Sequence, residues 1–315
     1  MKTNAIIRII IWSLVLVILV GILAAFVSHR AFSSLRRAQL ISDTENTGLV
    51  PPANEVTPME ALPNEESLTV DPSSIDEIEI EWAAGDILIL PRDVEQITIS
   101  ESDVSDSRYS MLWQVRGNKL SIQFCESSIH TGFGISFDAE VSKDLYIEVP
   151  ENWICNSLEV DAASAALEIQ NMTIREVDFD GASGTCDFEN CQIGDLDIDT
   201  ASGDVYFTGT LGSLDFDAAS ASFIGELQNT PSRIDMDGMS GSLDLALPED
   251  CGFTLSMDGM SSRFSSEFYG THMQNGSHVY GDGRCRINVD GMSCDVTIRK
   301  LETIVMDPTQ DTSKS

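Results

Sequence analysis

The sequence predicts an all-β protein built as a repetitive β-solenoid, a stack of about seven coils of roughly 20 residues each. A four-residue motif, Asp-x-(Ala/Met)-Ser, recurs seven times between residues 158 and 298. Short runs of alternating apolar and polar residues flank each copy, as expected for half-buried strands. Beyond residue 27, no stretch sustains the 3.6-residue period of an amphipathic helix.

The motif repeats at a nearly constant interval. Its copies begin at Asp161, Asp180, Asp199, Asp217, Asp237, Asp258 and Asp290. The intervals are 18 to 21 residues, except for the last, which is 32 residues. So regular a period indicates units that bury their apolar faces only against their neighbours. The long last interval predicts a loop around residues 270–283 or an extra partial coil.

A strand triplet precedes each motif, as in Leu196-Asp197-Ile198. Side chains alternate faces along a strand, so the two apolar residues point inward and the middle residue points outward. We interpret the third motif position, which is Ala or Met, as an inward corner. The motif Asp and Ser are interpreted as turn residues that hydrogen-bond to nearby backbone groups.

Stacking turns these positions into columns, because neighbouring strands lie about 4.8 Å apart. Four successive coils read Asp-apolar-Asp. The paired carboxylates are Asp178, Asp180, Asp197, Asp199, Asp215, Asp217, Asp235 and Asp237. At this spacing two carboxylates repel by roughly 1 kcal/mol even in water. Turn hydrogen bonds, raised pKa values or bound cations would offset the repulsion, and calcium, which prefers oxygen ligands, suits such a surface. The alternative is a solvated acidic face, and no other cofactor is indicated.

Charge and composition exclude several partners. The 315 residues include 18 Lys and Arg against 51 Asp and Glu, a net charge of −33. Nucleic-acid binding needs clustered cations, so it is not expected. A hydrophobic content of 42% is too high for a disordered acidic chain, which means that the apolar residues form a core.

The N-terminal residues predict a membrane anchor. A short tail, residues 1–8, precedes an uncharged apolar run of 19 residues, 9–27, which is long enough to span a bilayer as a helix. A cleaved signal peptide is the alternative, although its apolar region is usually shorter. Residues 28–70 form a juxtamembrane segment and a Pro-rich stalk. Flanking charges do not fix the orientation, but a short N-tail before a large domain favours export of the C-terminal part.

The remaining boundaries follow the pattern. Residues 71–150 form an N-terminal β section, residues 151–300 the repeat stack, and residues 301–315 a polar tail.

Catalytic and metal motifs are not found in the sequence. Seven cysteines show no CxxC or Cys/His zinc spacing, and we interpret them as small buried hydrophobes, with one or two disulfides as an alternative. The four histidines match no common metal or catalytic motif. The protein is therefore not expected to be an enzyme.

Part of the chain resembles a known family. Residues 78–89 (IEIEWAAGDILI), Ile97–Glu101, Gly117–Ile122 and the unit DTASGDV at 199–205 resemble a bacterial putative-adhesin family, also described as β-strand-repeat proteins of unknown function. The resemblance covers roughly residues 75–300. It implies a β-solenoid-like fold, often on a membrane-anchored protein, and carries over no catalytic residues.

We therefore expect a single-pass membrane protein that presents an acidic β-stack outside the cell for binding, adhesion or structural display. Its partners would be the membrane, through residues 9–27, and a protein or cell-surface ligand. One alternative is a membrane regulator or envelope-sensing accessory protein. Another is self-association, in which solenoids join end to end through exposed terminal strands.

Overall fold

The computed structural model describes residues 59–61, 67–102, 106–125 and 141–302. They form sixteen strands and one 3-10 helix, Ser107–Tyr109. The strands are β1 (Glu60–Ala61), β2 (Leu68–Val70), β3 (Glu77–Arg92), β4 (Ile97–Glu101), β5 (Leu112–Arg116), β6 (Lys119–Gln123), β7 (Leu145–Pro150), β8 (Ile154–Gln170), β9 (Thr173–Ser183), β10 (Cys186–Leu227), β11 (Arg233–Leu247), β12 (Phe253–Asp258), β13 (Arg263–Ser266), β14 (His272–Gln274), β15 (Ser277–Tyr280) and β16 (Cys285–Lys300). Hydrogen bonds join them into one sheet, which confirms the all-β prediction.

The predicted transmembrane helix, residues 9–27, lies outside the described residues, as do the N-terminal tail and most of segment 28–70. Within the described ranges, no helical segment has the length and apolar character that a membrane crossing requires. Part of the predicted stalk joins the fold: strands β1 and β2 come from segment 28–70, and Val70 is buried.

Each motif copy forms one coil of the stack, called a rung below, and neighbouring rungs are parallel and in register. Asp161 pairs with Asp180, and Asp199 pairs with Asp180 on its other side. In six of the seven copies the strand runs through the motif without interruption, as β8 does from Ile154 to Gln170, whereas residues 259–262 join β12 to β13. The motif is therefore a bend between two strand segments, and we call it the arch.

The inward triplet residues form the core, as predicted. The buried members are Leu158, Val160, Val177, Phe179, Leu196, Ile198, Leu214, Phe216, Ile234, Met236, Leu255, Ile287 and Val289. Phe207 stacks on Phe223 with ring centroids 6.4 Å apart, and Phe188 lies 6.1 Å from Phe207 on the other side. All seven cysteines are free and buried, which confirms them as small core residues.

The interpretation of the third motif position as an inward corner is wrong. Alternation continues through the arch, so the second position points inward, as at Ala162 and Ala218, both 6% exposed. The third position faces solvent. Ala163 and Ala182 are exposed there, and Met260 is 89% exposed.

Turns on the opposite edge depend on a few special residues. Asn171 and Asn190 both adopt φ 52, and the Asn190 side-chain amide donates to Asn171 Oδ1 at 2.8 Å. On the arch side, Gly203 has φ 126, and a Cβ there would lie 1.8 Å from the carbonyl oxygen of Gly184 in the preceding rung. Only glycine fits so close a backbone approach.

The rungs do not follow sequence order at the C-terminal end. Asp290 pairs with Asp237 on one side and with Asp258 on the other, so β16 inserts between β11 and the pair β12 and β13. The 32-residue interval holds the β14–β15 hairpin, whose strand β15 pairs antiparallel with β12. The loop predicted around residues 270–283 is therefore present as this hairpin.

Basic residues at the end of β16, an internal strand of the stack, pair with neighbouring carboxylates. Arg299 binds Asp244 of the β11 rung at 2.8 Å, and Lys300 binds Glu249 at 2.5 Å.

Antiparallel strands cover the N-terminal end. Strands β6 and β7 form a rung beside β3. On one face β5 pairs antiparallel with β6, and β1 pairs antiparallel with β5. On the other face β4 pairs antiparallel with β7, and β2 pairs antiparallel with β4. These strands close the parallel stack.

Candidate functional site

Two parallel columns of carboxylates follow the arch edge. The arch column consists of the first motif residues, and the strand column consists of the residues two positions earlier. All eight predicted carboxylates lie in these columns. The register pairs Asp178 with Asp197 and Asp180 with Asp199, and it pairs Asp215 with Asp235 and Asp217 with Asp237.

The columns are longer than the sequence predicted. Glu81 pairs with Asp161, and Glu79 pairs with Glu159, so β3 adds a rung at one end. Its arch reads Glu-Trp-Ala-Ala, which lacks both the Asp and the Ser of the motif, so the repeat motif does not identify this rung. At the other end the arch column continues through Asp290 to Asp258.

Stacking raises the proton affinity of the central carboxylates. Burial and the neighbouring Asp180 and Asp197 raise the pKa of Asp178 to about 6. Burial, then Asp217 and Asp180, raise the pKa of Asp199 to about 6. Like charges a few ångströms apart destabilise the ionised form of each group.

The same causes act on three further aspartates. Burial and the neighbouring carboxylates raise the pKa of Asp217 to about 6 and the pKa values of Asp197 and Asp237 above their ordinary range.

The turn-residue interpretation fails for three aspartates. No hydrogen bond to the carboxylates of Asp199, Asp217 or Asp237 comes from any part of the chain that the structure describes. Two motif serines contact the preceding rung instead: Ser202 Oγ donates to the carbonyl of Ala182 at 3.5 Å, and Ser183 Oγ donates to Ser164 Oγ at 3.4 Å.

One cation lies at the N-terminal end of the strand column. Lys119 Nζ is 3.2 Å from Glu79 and 3.1 Å from Glu159. Gln123 donates to Glu81 at 2.7 Å, which satisfies the first carboxylate of the arch column.

A second cation lies toward the other end. Arg233 bridges Asp215 and Asp235, with 2.9 Å to each. Asn288 takes the next strand-column position and donates to Asp235 at 2.7 Å. Ion pairs of the described residues thus neutralise the ends of the strand column and leave Asp178 and Asp197 between them without one.

The calcium hypothesis for these eight carboxylates stays a prediction. Among residues 59–61, 67–102, 106–125 and 141–302, no group of three or more His, Cys, Asp or Glu side chains is arranged to hold a metal ion.

A buried lysine is the feature that sequence reasoning missed. The Lys143 ammonium forms an ion pair with Glu101. It also donates to the carbonyls of Tyr109 and Phe124, both at 2.6 Å. The ammonium lies 4.8 Å from the ring centroid of Trp82 and 4.5 Å from that of Phe124. Burial lowers the pKa of Lys143, and the Glu101 carboxylate opposes this effect.

Lys143 has a structural role, because its donors are fully engaged and no solvent reaches it. Nothing in its local sequence, Ser-Lys-Asp, predicts burial. The histidines within the described ranges, His272 and His278, belong to the β14–β15 hairpin, and His278 packs against the Phe264 ring at 4.6 Å.

Comparison with known families gives one decisive match. The model of the family called Toastrack DUF4097 matches residues 75–299, most of the chain. The protein belongs to the Toastrack DUF4097 family. This membership confirms the resemblance to a β-strand-repeat, putative-adhesin family of unknown function.

Solved structures similar to this Toastrack chain come from three bacteria. A "putative cell adhesion protein" from Clostridium sporogenes is 12% identical, with 77% of this chain and 100% of that chain covered and a TM-score of 0.31. A "putative adhesin" from Bacteroides fragilis is 14% identical, with 75% and 98% covered and a TM-score of 0.42. A "putative lipid binding protein" from Parabacteroides distasonis is also 14% identical, with 75% and 98% covered and a TM-score of 0.40. No curated protein matches the chain.

The raised pKa values predict a Toastrack domain that gains stability on mild acidification. Asp178, Asp199 and Asp217 have pKa values of about 6 when folded, against an ordinary value of 3.8. The folded state therefore binds protons more tightly than the unfolded state, and this contribution is lost as pH rises through about 6. Thermal melts should show a higher melting temperature at pH 5 than at pH 7.5.

Substitution within the columns tests the cause of this pH dependence. Asp199→Asn should raise the free energy of unfolding at pH 7.5 by about 0.5–1 kcal/mol after solvent screening and flatten the pH profile. Asp204→Asn is the matched control, because Asp204 is an exposed carboxylate of the same rung. The equivalent residues on the neighbouring rungs, Thr185 and Ser222, are uncharged, so Asp204 belongs to no carboxylate column. Equal effects of the two variants would show that total charge, not the column, controls stability.

Calcium binding predicts a separate effect on stability. If the columns hold calcium with a dissociation constant of about 1 mM, as extracellular modules do, 10 mM calcium should stabilise the fold by about 1.4 kcal/mol. Thermal melts of the protein with calcium and with a chelator measure this. An unchanged melting temperature at millimolar calcium removes the hypothesis.

Proposed function

We propose that this chain is a non-enzymatic, membrane-anchored, extracytoplasmic module that binds a cationic partner along its two acidic columns. The observation that carries the proposal is the continuity of the columns. From Glu81 to Asp258 the arch column crosses eight rungs, which at about 4.8 Å per rung is roughly 34 Å.

The two acidic columns together, called the strip below, favour an extended partner. Their charges sit on consecutive hydrogen-bonded rungs, so their spacing is fixed before binding and little ordering entropy is lost. Asp178 and Asp197 lie between the two cationic ends of the strand column and have no ion pair from the described residues. A peptide or protein surface with lysines or arginines in a row would supply the missing counter-charges.

Anchoring and export support the same function. The apolar run 9–27 would attach the chain to the membrane, and residues 28–58 would separate the β-stack from the bilayer. Adhesion and structural display, which are expected from the sequence, would use the same exposed binding surface. A regulatory or sensing accessory protein would use the strip in the same way, with a membrane protein as its partner.

End-to-end assembly is the less supported alternative. Antiparallel strands cover the described N-terminal rung on both faces, and the β14–β15 hairpin covers β12 at the other end. These strands interrupt the parallel register that two joined stacks would need to share.

The proposal is tested on intact cells that express the full chain. A fluorescent oligo-lysine peptide should bind these cells, and external protease should abolish the binding. The variant Asp178→Asn/Asp197→Asn/Asp199→Asn/Asp217→Asn should bind at least tenfold less peptide at physiological salt, because it removes the central counter-charges.

A second quadruple variant controls for total charge. Glu168→Gln, Asp187→Asn, Asp204→Asn and Asp250→Asn together remove the same charge outside the columns and should retain most of the binding. Equal loss in both variants contradicts the strip as the contact surface. A domain that protease leaves uncut on intact cells contradicts the exported topology.

A further inference from the structure

Three arches differ from the others at the position that faces solvent. They read Asp-Gly-Met-Ser at residues 237–240, 258–261 and 290–293, whereas the remaining five carry Ala at the third position. Met239, Met292 and Met260 are 39%, 50% and 89% exposed. Single exposed apolar residues are common, but a contiguous group indicates a contact with something outside the chain.

The rung order brings these three methionines side by side. The β16 rung lies between the other two, since Gly291 pairs with Gly238 and Asp290 pairs with Asp258. The Ser261 N–H also donates to the carbonyl of Met292 at 3.1 Å. Met292 is therefore the central residue, with one methionine on each side at a backbone spacing of about 4.8 Å. We call this group the methionine ladder.

Open space and negative charge adjoin the ladder. A shallow cavity of about 490 Å³ is lined by Met260 and Met292, by the carboxylate-bearing Asp258 and Asp290, and by glycines. The glycines occupy the second arch position and contribute no side chain there. Two thioethers and two arch-column carboxylates thus face one accessible volume, and Met239 lies on the rung beside Met292.

We propose that the methionine ladder binds a single Cu(I) ion through its three thioether sulfurs. Thioethers are soft ligands that select Cu(I) over the hard cations that carboxylates prefer. Methionine has three rotatable side-chain bonds, so the outer two sulfurs can lean toward a metal above Met292. The adjacent carboxylates attract a cation to the ladder without serving as its preferred ligands.

The cysteines do not provide a competing surface site. All seven are buried, and burial raises the pKa of Cys186 and Cys285 to about 12, which keeps these thiols protonated. The thiolate is the metal-binding form, so the accessible sulfur ligands of the described residues are the exposed methionines.

Anaerobic titration of the full chain with Cu(I) against a chromophoric Cu(I) chelator tests the proposal. The protein should take up one Cu(I) per chain. Met292→Leu should weaken binding at least tenfold, because it removes the central sulfur while keeping the shape of the side chain. Met239→Leu/Met260→Leu/Met292→Leu should abolish binding.

Met273→Leu is the matched control, because Met273 is 60% exposed but lies on β14, outside the ladder. It should leave the affinity unchanged. Binding by the triple variant that equals that of the unsubstituted chain, or no binding by the unsubstituted chain, overturns the proposal. The oligo-lysine experiment is unaffected by either result, so the two proposals fail independently.

Spectroscopy with Ag(I), which has the same closed-shell configuration, locates the ion without any substitution. In a chain labelled with ¹³C at the methionine methyl groups, Ag(I) should shift the signals of Met239, Met260 and Met292 and leave that of Met273 in place. A shift of Met273 equal to the other three, or of none of the four, contradicts the ladder as the site.

Discussion

Parallel, in-register stacking of the rungs determines both the core and the surface of this protein. Each residue lies beside its repeat equivalent at about 4.8 Å, so any property of one position is multiplied along the stack. Inside, this places Phe188, Phe207 and Phe223 in one row. Outside, the same register places carboxylates next to carboxylates, where a scattered arrangement would keep them apart.

Stability therefore requires that the repulsion between the outward-facing carboxylates be offset. Lys119 and Arg233 neutralise the strand column near its two ends. In the centre, the carboxylates have raised pKa values, which shows that the fold tolerates the repulsion rather than removing it. The buried Lys143–Glu101 pair contributes at the N-terminal end, where it joins β4, the segment around Tyr109 and the first arch. Removing one partner of such a pair usually costs several kcal/mol, because the other charge remains buried.

Much of the fold was predictable because two periods coincide in the sequence. The two-residue alternation at triplets such as Leu196-Asp197-Ile198 identified the inward and outward faces, and the repeat of about 20 residues identified the columns. The third arch position was assigned wrongly because the motif was interpreted as a turn that interrupts alternation. The strand continues instead, so Ala162 points inward and Ala163 outward.

Other features depend on contacts between segments distant in the chain. Strand β16 lies between β11 and β12 after the chain has passed through the β14–β15 hairpin. An interval of 32 residues does not specify on which side of β12 the returning strand pairs. The burial of Lys143 arises from Trp82, Glu101 and Phe124, none of which is its sequence neighbour. The methionine ladder could not be predicted from the sequence for two reasons. The exposure of its side chains follows from the alternation through the arch, and their arrangement follows from the order of the rungs.

The central claim is that register stacking holds the arch-edge carboxylates in columns. The most direct measurement is a ¹³C NMR titration of the aspartate side-chain carboxyl groups, with assignments for Asp178, Asp199 and Asp217 from single Asn variants. The stacked columns predict apparent midpoints of about 6 for these three groups, shared among coupled neighbours. Midpoints at the ordinary value of 3.8 would contradict the in-register stack.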